Sequence, residues 1–126
     1  MQRDLWGGKQ KISESDVLRD VQQYLKLRHI FSYRQNSGAY KPDGGGFVRY
    51  GHLGAADLCC IYPGGRMWQL ETKAPGGKLS DGQIIFLKEV RAHGGVVLVC
   101  EGLDDVDKCL KDAEYIGLDR YKRLIV

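Results

Sequence analysis

An acidic and a basic side chain lie two residues apart in the apolar segment WQLETK, which spans residues 68–73. Glu71 and Lys73 would project from the same face of a strand, because side chains alternate along extended backbone. One explanation is a surface ion pair, which would contribute little to stability. The other is a functional site, and it needs further acidic groups nearby.

Asp57 favours the functional site, because it begins the strand that precedes this one. Residues 63–65 predict a tight turn, so the two strands should form a hairpin. Counting outward from the turn places Asp57 opposite Glu71, within one residue, and facing residues lie about 5 Å apart. Two carboxylates that close repel each other unless a cation lies between them. Such oxygen ligands suit Mg²⁺ or Mn²⁺, although a hydrogen-bonded aspartate at a strand start is an alternative explanation.

Glu14 and Gln83 lie near the beginnings of two predicted helices. Glu14 precedes Val17 and Leu18 by three and four residues, so it should stand over the apolar face of its helix. It is then a third candidate carboxylate, or only a first-turn acid that complements the helix dipole. Gln83 follows Ser80 by three residues, which predicts a capping box. It could cap the helix and also orient a water molecule.

Apolar spacing, turn signals and capping signals predict the surrounding elements. Helices are expected at about 14–28, 81–93 and 104–113, and strands within 30–36, 57–62, 66–73 and 96–100. The glycine-rich segment 37–56 predicts a long loop, with room for a short strand at 47–50. The tail from residue 115 fits a strand, a helix end or an oligomer contact, and RLIV at its end fits a dimer contact or a core strand. The order α-β-β-β-α-β-α then predicts a mixed sheet with helices on both faces, in which the third and fourth strands are parallel.

Four segments are together similar to one nuclease family. They are YRQNSGA at 33–39, GHLGAADL at 51–58, ETKAPGGKLSDGQ at 71–83 and VRAHGGVVLV at 90–99. Asp57 with LETK resembles the PD-(D/E)XK nuclease core, and all four segments resemble the VRR-NUC (virus-type replication-repair nuclease) family in its stand-alone form. The resemblance implies an α/β fold with a restriction-endonuclease-like αβββαβ core. Ala56 departs from the family pattern, which often has proline before the aspartate.

The same resemblance implies a divalent-metal-dependent DNA endonuclease that hydrolyses phosphodiester bonds with Mg²⁺ or Mn²⁺. Lys73 would lie beside the attacking water and stabilise charge in the transition state, and Gln83 would orient Lys73 or that water. The implied catalytic residues are Glu14, Asp57, Glu71, Lys73 and Gln83. The implied metal ligands are Glu14, Asp57, Glu71 and the backbone carbonyl of Thr72.

Basic and small polar residues around the glycine-rich segment suit contacts with a DNA backbone. The candidates are Arg34, Asn36, Ser37, Lys41, Arg49, His52 and Lys78. Small members of the resembled family form homodimers and are associated with cleavage of branched DNA such as four-way junctions. A flap or nicking nuclease, RNA cleavage and a nucleic-acid-binding module without catalysis are the alternatives.

Length, charge and cysteine content agree with this expectation without requiring it. The 126 residues fit a single nuclease domain, 1–126, in which residues 1–12 look loosely attached. The net charge of +3 permits a polyanionic partner. The chain lacks a bilayer-spanning apolar run and a signal-peptide stretch, which predicts a cytoplasmic protein, in a bacterial or phage-infected cell by resemblance. The four cysteines are then expected to be buried, reduced thiols.

Overall fold

The computed structural model describes residues 11–126, which form four helices and six strands. In chain order the elements are α1 (Glu14–Leu27), β1 (Ser32–Arg34), β2 (Gly38–Tyr40), β3 (Val48–Tyr50), β4 (Leu58–Ile61), β5 (Met67–Thr72), α2 (Asp81–Ala92), β6 (Val96–Cys100), α3 (Leu103–Lys111) and α4 (Asp119–Ile125). The loose attachment expected for residues 1–12 mostly concerns residues 1–10, which lie outside the described part.

Four of the strands build one mixed sheet with the spatial order β1-β4-β5-β6. The pairs β1–β4 and β4–β5 are antiparallel, whereas β5 and β6 are parallel and are joined through α2. Together with α1, these elements follow the order αβββαβ. The predicted α/β fold with a mixed central sheet is therefore confirmed.

Helices cover both faces of this sheet, and strand β6 shows why the sequence requires them. Its residues alternate between two cores, with Val96 and Leu98 packed against α1 and α3, and with Val97 and Val99 packed against α2 and α4. A strand that is buried on both faces needs an unbroken apolar sequence. The segment VVLVC supplies it.

The predicted capping box is present at the start of α2, and α1 begins with one too. Ser13 and Asp16 exchange side-chain and backbone hydrogen bonds at the start of α1, and Ser80 and Gln83 do the same at the start of α2. Each pair satisfies two backbone N–H groups that the first helical turn leaves unpaired. The capping boxes therefore fix where both helices begin, and so the positions of Glu14 and Gln83.

Two parts of the chain differ from the sequence prediction. The predicted loop 37–56 contains the expected short strand, now β3, and also β2, which pairs with it in a separate two-stranded sheet. In the tail, the strand alternative is wrong, because Gly117 turns the chain at φ 126° and helix α4 follows. Ile125 of the RLIV segment packs into the core from this helix.

Two of the general expectations can also be compared with the structure. All four cysteines, Cys59, Cys60, Cys100 and Cys109, are free and buried. Burial raises the pKa of the Cys60 and Cys109 thiols to about 12, so they behave as apolar core groups. Among residues 11–126, no helix is both long enough and apolar enough to cross a membrane.

Candidate active site

The β4–β5 hairpin brings Asp57 and Glu71 together. Leu58 pairs with Leu70 across the two strands, and continuing this register by one residue sets Asp57 opposite Glu71. This is the pairing expected from the sequence, because the turn length fixes the register of a hairpin. Both residues lie at the end of the hairpin that is farthest from its turn.

Glu14 approaches the same position from the first turn of α1. Oxygen atoms of Glu14, Asp57 and Glu71 all lie within 4.8 Å of one another. Burial increases along the three side chains: Glu14 is exposed, Asp57 is half-buried and Glu71 is buried. The group is therefore open to solvent on the side of Glu14. We call these three side chains the acidic cluster.

Thr72 holds one oxygen of Asp57 in place. The Thr72 backbone N–H donates to Asp57 Oδ2 at 2.7 Å, and its hydroxyl donates to the same atom at 2.8 Å. Two donors on one oxygen orient the carboxylate, and neither of them occupies Oδ1. The Asp57 side chain is thereby oriented by the neighbouring strand.

Glu71 is the most strongly perturbed member of the acidic cluster. Burial, and then the negative charge of Asp57, raise its pKa from 4.5 to about 9, although Lys73 opposes this effect. The Lys73 ammonium lies 3.9 Å from Glu71 Oε1, and the Gln83 amide donates to that atom at 3.2 Å. A buried carboxyl group at neutral pH is then protonated unless a further positive charge joins it. Such a perturbed group in a polar cluster is typical of functional sites.

Gln83 combines the two roles that the sequence suggested. Its side-chain oxygen accepts from the Ser80 backbone N–H in the capping box, while its side-chain nitrogen donates to Glu71. The contact is with Glu71, whereas the sequence analysis expected Gln83 to orient Lys73 or a water molecule. Helix α2 is therefore tied directly to the acidic cluster.

A polar contact network that the sequence analysis did not predict fixes the loop beside Lys73. The Lys73 side chain is only 8% exposed, and Gly77 packs so closely that a Cβ there would lie 3.1 Å from Lys73 Cβ. From α4, the Tyr121 hydroxyl lies 2.8 Å from the Gly77 carbonyl oxygen and 2.6 Å from Glu101 Oε2. Arg120 forms an ion pair with the same Glu101 carboxylate. Helix α4 thereby fixes the loop that packs against Lys73.

A pair of glutamines beside the acidic cluster was also missed. Gln69 is buried two residues before Glu71 on the same strand face, and the Gln35 amide donates to it at 2.5 Å. The Gln35 amide also lies 3.1 Å from the Ala56 carbonyl oxygen. The alternation of β5 places Gln69 on this face, but its partner lies 34 residues away and has no local signal.

The predicted DNA-contact residues lie at the surface. All seven are exposed, on β1, on the segment from residue 36 to residue 52, and in the loop before α2: Arg34, Asn36, Ser37, Lys41, Arg49, His52 and Lys78. The His52 ring packs against Phe86, with 5.4 Å between ring centroids, and its Nδ1 lies 2.9 Å from the Leu53 carbonyl oxygen. The other six remain candidates on exposure and charge alone.

Residues 48–104 match the model of one protein family, the VRR-NUC domain. Over these residues, just under half of its length, the chain is similar to VRR-NUC domains. The match includes Asp57, Glu71, Lys73 and Gln83, whereas Glu14 lies outside it. The place of Glu14 in the acidic cluster is therefore a finding of the structure rather than of the sequence match.

A solved structure described as "VRR_NUC domain" shares the fold with a TM-score of 0.56 and 22% sequence identity. The alignment covers 79% of this chain and 95% of that one. A comparison with curated proteins found no match. VRR-NUC domains are nuclease-like modules of the PD-(D/E)XK type, and the carboxylate and lysine groups gathered at the end of the hairpin agree with this similarity.

Proposed function

We propose that this protein is a divalent-metal-dependent endonuclease that hydrolyses phosphodiester bonds of DNA. The observation that carries the proposal is the convergence of Glu14, Asp57 and Glu71 beside the buried ammonium group of Lys73. Branched DNA as the substrate and a homodimer as the active form are proposed from the VRR-NUC resemblance, in which small members have these properties. The single-domain organisation is part of the same proposal.

The donor set fits a hard cation such as Mg²⁺ or Mn²⁺. Carboxylate oxygens within 4.8 Å of one another can reach a common ion, and both metals prefer oxygen ligands. The raised pKa of Glu71 supports this assignment, because buried acids that repel one another need a positive charge to ionise together. Glu14, Asp57, Glu71 and the Thr72 backbone carbonyl would hold the ion.

A divalent cation at this position would lower the pKa of a bound water molecule and offset the negative charge that develops on the phosphate. Lys73 would hold the attacking water and stabilise the transition state with its own positive charge. Gln83 would keep the Glu71 carboxylate oriented by donating to Oε1. Thr72 would do the same for Asp57.

DNA contact is assigned to seven exposed residues. Arg34, Lys41 and Arg49 would bind backbone phosphates without choosing a sequence. Lys78 lies just before α2, whose N-terminus favours a phosphate group. Asn36, Ser37 and His52 complete the proposed set.

Cleavage of labelled DNA tests the proposal. We expect the protein to cut a four-way junction in Mg²⁺ or Mn²⁺ and to leave it intact in EDTA, with a flap, a nicked duplex, a linear duplex and an RNA duplex as comparison substrates. Lys73→Ala should lower the single-turnover rate by about 100-fold or more, the usual effect of losing one transition-state contact. Lys111→Ala, which removes an exposed lysine from α3, is the matched control.

Three results would each contradict a different part of the proposal. Salt-sensitive binding with no cleavage of any substrate would favour a nucleic-acid-binding module instead. A protein mass of one chain in the buffer that supports cleavage would contradict the homodimer while leaving the nuclease assignment intact. Preference for RNA or for flaps would correct the substrate alone.

A further inference from the structure

Residues 37–51 form a two-stranded projection, which we call the arm. Its strands β2 and β3 pair only with each other, from Gly38 opposite Tyr50 to Tyr40 opposite Val48. A hairpin of two short strands gains little stability by itself in water. The arm nevertheless exposes large apolar side chains, so a binding role is a better explanation for it than a structural one.

The two faces of the arm differ in chemistry. Side chains alternate along the strands, so Tyr40, Val48 and Tyr50 share one face. They are 54%, 40% and 50% exposed, and the two tyrosine rings lie 6.5 Å apart between centroids. Arg49 belongs to the opposite face, and Lys41 follows β2 directly. The arm therefore combines an exposed aromatic face with positive charge on its opposite face and just beyond β2.

Glycine holds the aromatic face in place. A Cβ at Gly38 would lie only 2.7 Å from the Tyr50 hydroxyl oxygen and 3.0 Å from the ring carbon beside it. The Tyr50 ring therefore lies directly over the backbone of the facing strand, in a position that any larger residue at 38 would disturb. Tyr50 nevertheless stays 50% exposed and so is accessible to a ligand.

The base of the arm is fixed next to the acidic cluster. The Gln35 backbone N–H donates to the Asp57 carbonyl oxygen at 2.9 Å, so the chain enters the arm beside the residue that supplies one carboxylate. Gly51, at φ 69°, lies so close to the entering chain that a Cβ there would be 2.3 Å from the Asn36 carbonyl oxygen. The two ends of the arm are thus packed together where β4 begins.

We propose that the aromatic face of the arm, formed by Tyr40, Val48 and Tyr50, stacks on unpaired bases of a DNA substrate whose phosphate lies at the acidic cluster. The proposal rests on the proposed nuclease function and adds to it the feature of the substrate that this protein selects. Exposed aromatic rings and cationic side chains on one element are the combination that binds single-stranded nucleic acid, since bases stack while phosphates pair with charge. An apolar protein partner would gain nothing from Lys41 and Arg49.

Binding of two DNA probes tests the stacking. One probe is a fluorescent blunt duplex, and the other is the same duplex with a single-stranded tail, both measured with Ca²⁺ in place of Mg²⁺ to suppress cleavage. The double variant Tyr40→Ala, Tyr50→Ala should bind the tailed probe about 10-fold or more weakly, and the blunt probe within about 2-fold, because each stacked base contributes on the order of 1–3 kcal/mol. The double phenylalanine variant keeps the rings and should bind like the wild type. Tyr33→Ala, which removes a tyrosine that is 52% exposed on β1, is the matched control.

Three results would overturn the proposal. The first is an equal loss of affinity for both probes, and the second is an equal loss in the Tyr33→Ala control. The third is unchanged DNA affinity with an altered protein mass, which would make the arm a protein contact. Absence of cleavage by the wild type in Mg²⁺ would contradict the nuclease assignment separately, because the binding measurement does not depend on cleavage.

Discussion

Replacing Glu71 by glutamine should stabilise the metal-free protein, and the gain should grow as the pH rises. Burial and the neighbouring Asp57 raise the pKa of Glu71 from 4.5 in its usual state to about 9 in the folded protein. Between these two pH values the unfolded chain has released the Glu71 proton and the folded chain has kept it. Folding therefore takes up a proton, and its stability falls as the pH rises.

The magnitude follows from this difference in proton binding. Each pH unit inside the window costs a little over 1 kcal/mol, so the step from about pH 5.5 to about pH 7.5 should cost the wild type on the order of 3 kcal/mol through Glu71 alone. Glutamine has no proton to exchange and keeps an oxygen that accepts from Gln83. This loss is a large part of the 5–15 kcal/mol that stabilises an ordinary domain.

Urea unfolding at both pH values, in EDTA, measures the effect. The stability of Glu71→Gln minus that of the wild type should rise by on the order of 3 kcal/mol between the two pH values, whereas Glu114→Gln, at an exposed position, should show no such rise. Added Mn²⁺ should stabilise the wild type and leave the Glu71→Gln variant much less affected. A difference that does not change with pH would refute the reasoning, because it would mean that Glu71 ionises normally in the folded protein.

Three further predictions concern the contacts around the acidic cluster. Thr72→Val removes the hydroxyl that donates to Asp57 and should weaken Mn²⁺ binding, measured by calorimetry, by about 10-fold. An unchanged Mn²⁺ affinity would argue against a role of this hydroxyl in orienting Asp57. Tyr121→Phe removes the contact with the Gly77 carbonyl oxygen and should lower the cleavage rate by a larger factor than it lowers the affinity for Mn²⁺. A general loss of stability would not produce this difference between the two factors. Gly54→Ala should cost about 1–3 kcal/mol in thermal unfolding, because its φ is 79° and a Cβ would lie 2.3 Å from the Gly82 carbonyl oxygen. Gly44→Ala, with no atom within 4 Å of its Cβ, is the control, and an equal loss there would contradict the steric explanation.

The parts of the site that the sequence predicted depend on short-range rules. The turn at residues 63–65 fixes the register that sets Asp57 opposite Glu71, and helical spacing directs Glu14 toward the sheet. The capping box at Ser80 places Gln83 at the start of α2. Each of these inferences needs only the residues of one hairpin or one helical turn, which is why a single sequence was enough.

The parts that it missed depend on contacts between distant residues. The partner of Gln69 lies on β1, and the polar contacts of Tyr121 with Gly77 and Glu101 join α4 to two loops. The apolar spacing of the tail fits a helix or a strand equally well, so only packing against Val97 and Val99 decides between them. Packing of several elements also sets how deeply Glu71 is buried, and with it the pKa.

The pairing of β2 with β3 could not be predicted from the glycine-rich segment, for a local reason. Glycine and proline predict turns, and the three-residue strands β2 and β3 are too short to show clear alternation of apolar and polar residues. Their pairing becomes visible only when Gly38 is set against Tyr50. The segment itself is therefore predictable from the sequence, whereas its aromatic face is not.

Diffraction from a crystal soaked in Mn²⁺, recorded for the anomalous signal of manganese, tests the central claim most directly. We expect one ion bound by oxygens of Asp57, Glu71 and Glu14, directly or through water for Glu14, at metal–oxygen distances of about 2.0–2.3 Å. The Lys73 ammonium should stay beside Glu71, outside the direct ligands. No anomalous peak at the acidic cluster, with the Asp57 and Glu71 carboxylates turned away from each other, would contradict the account.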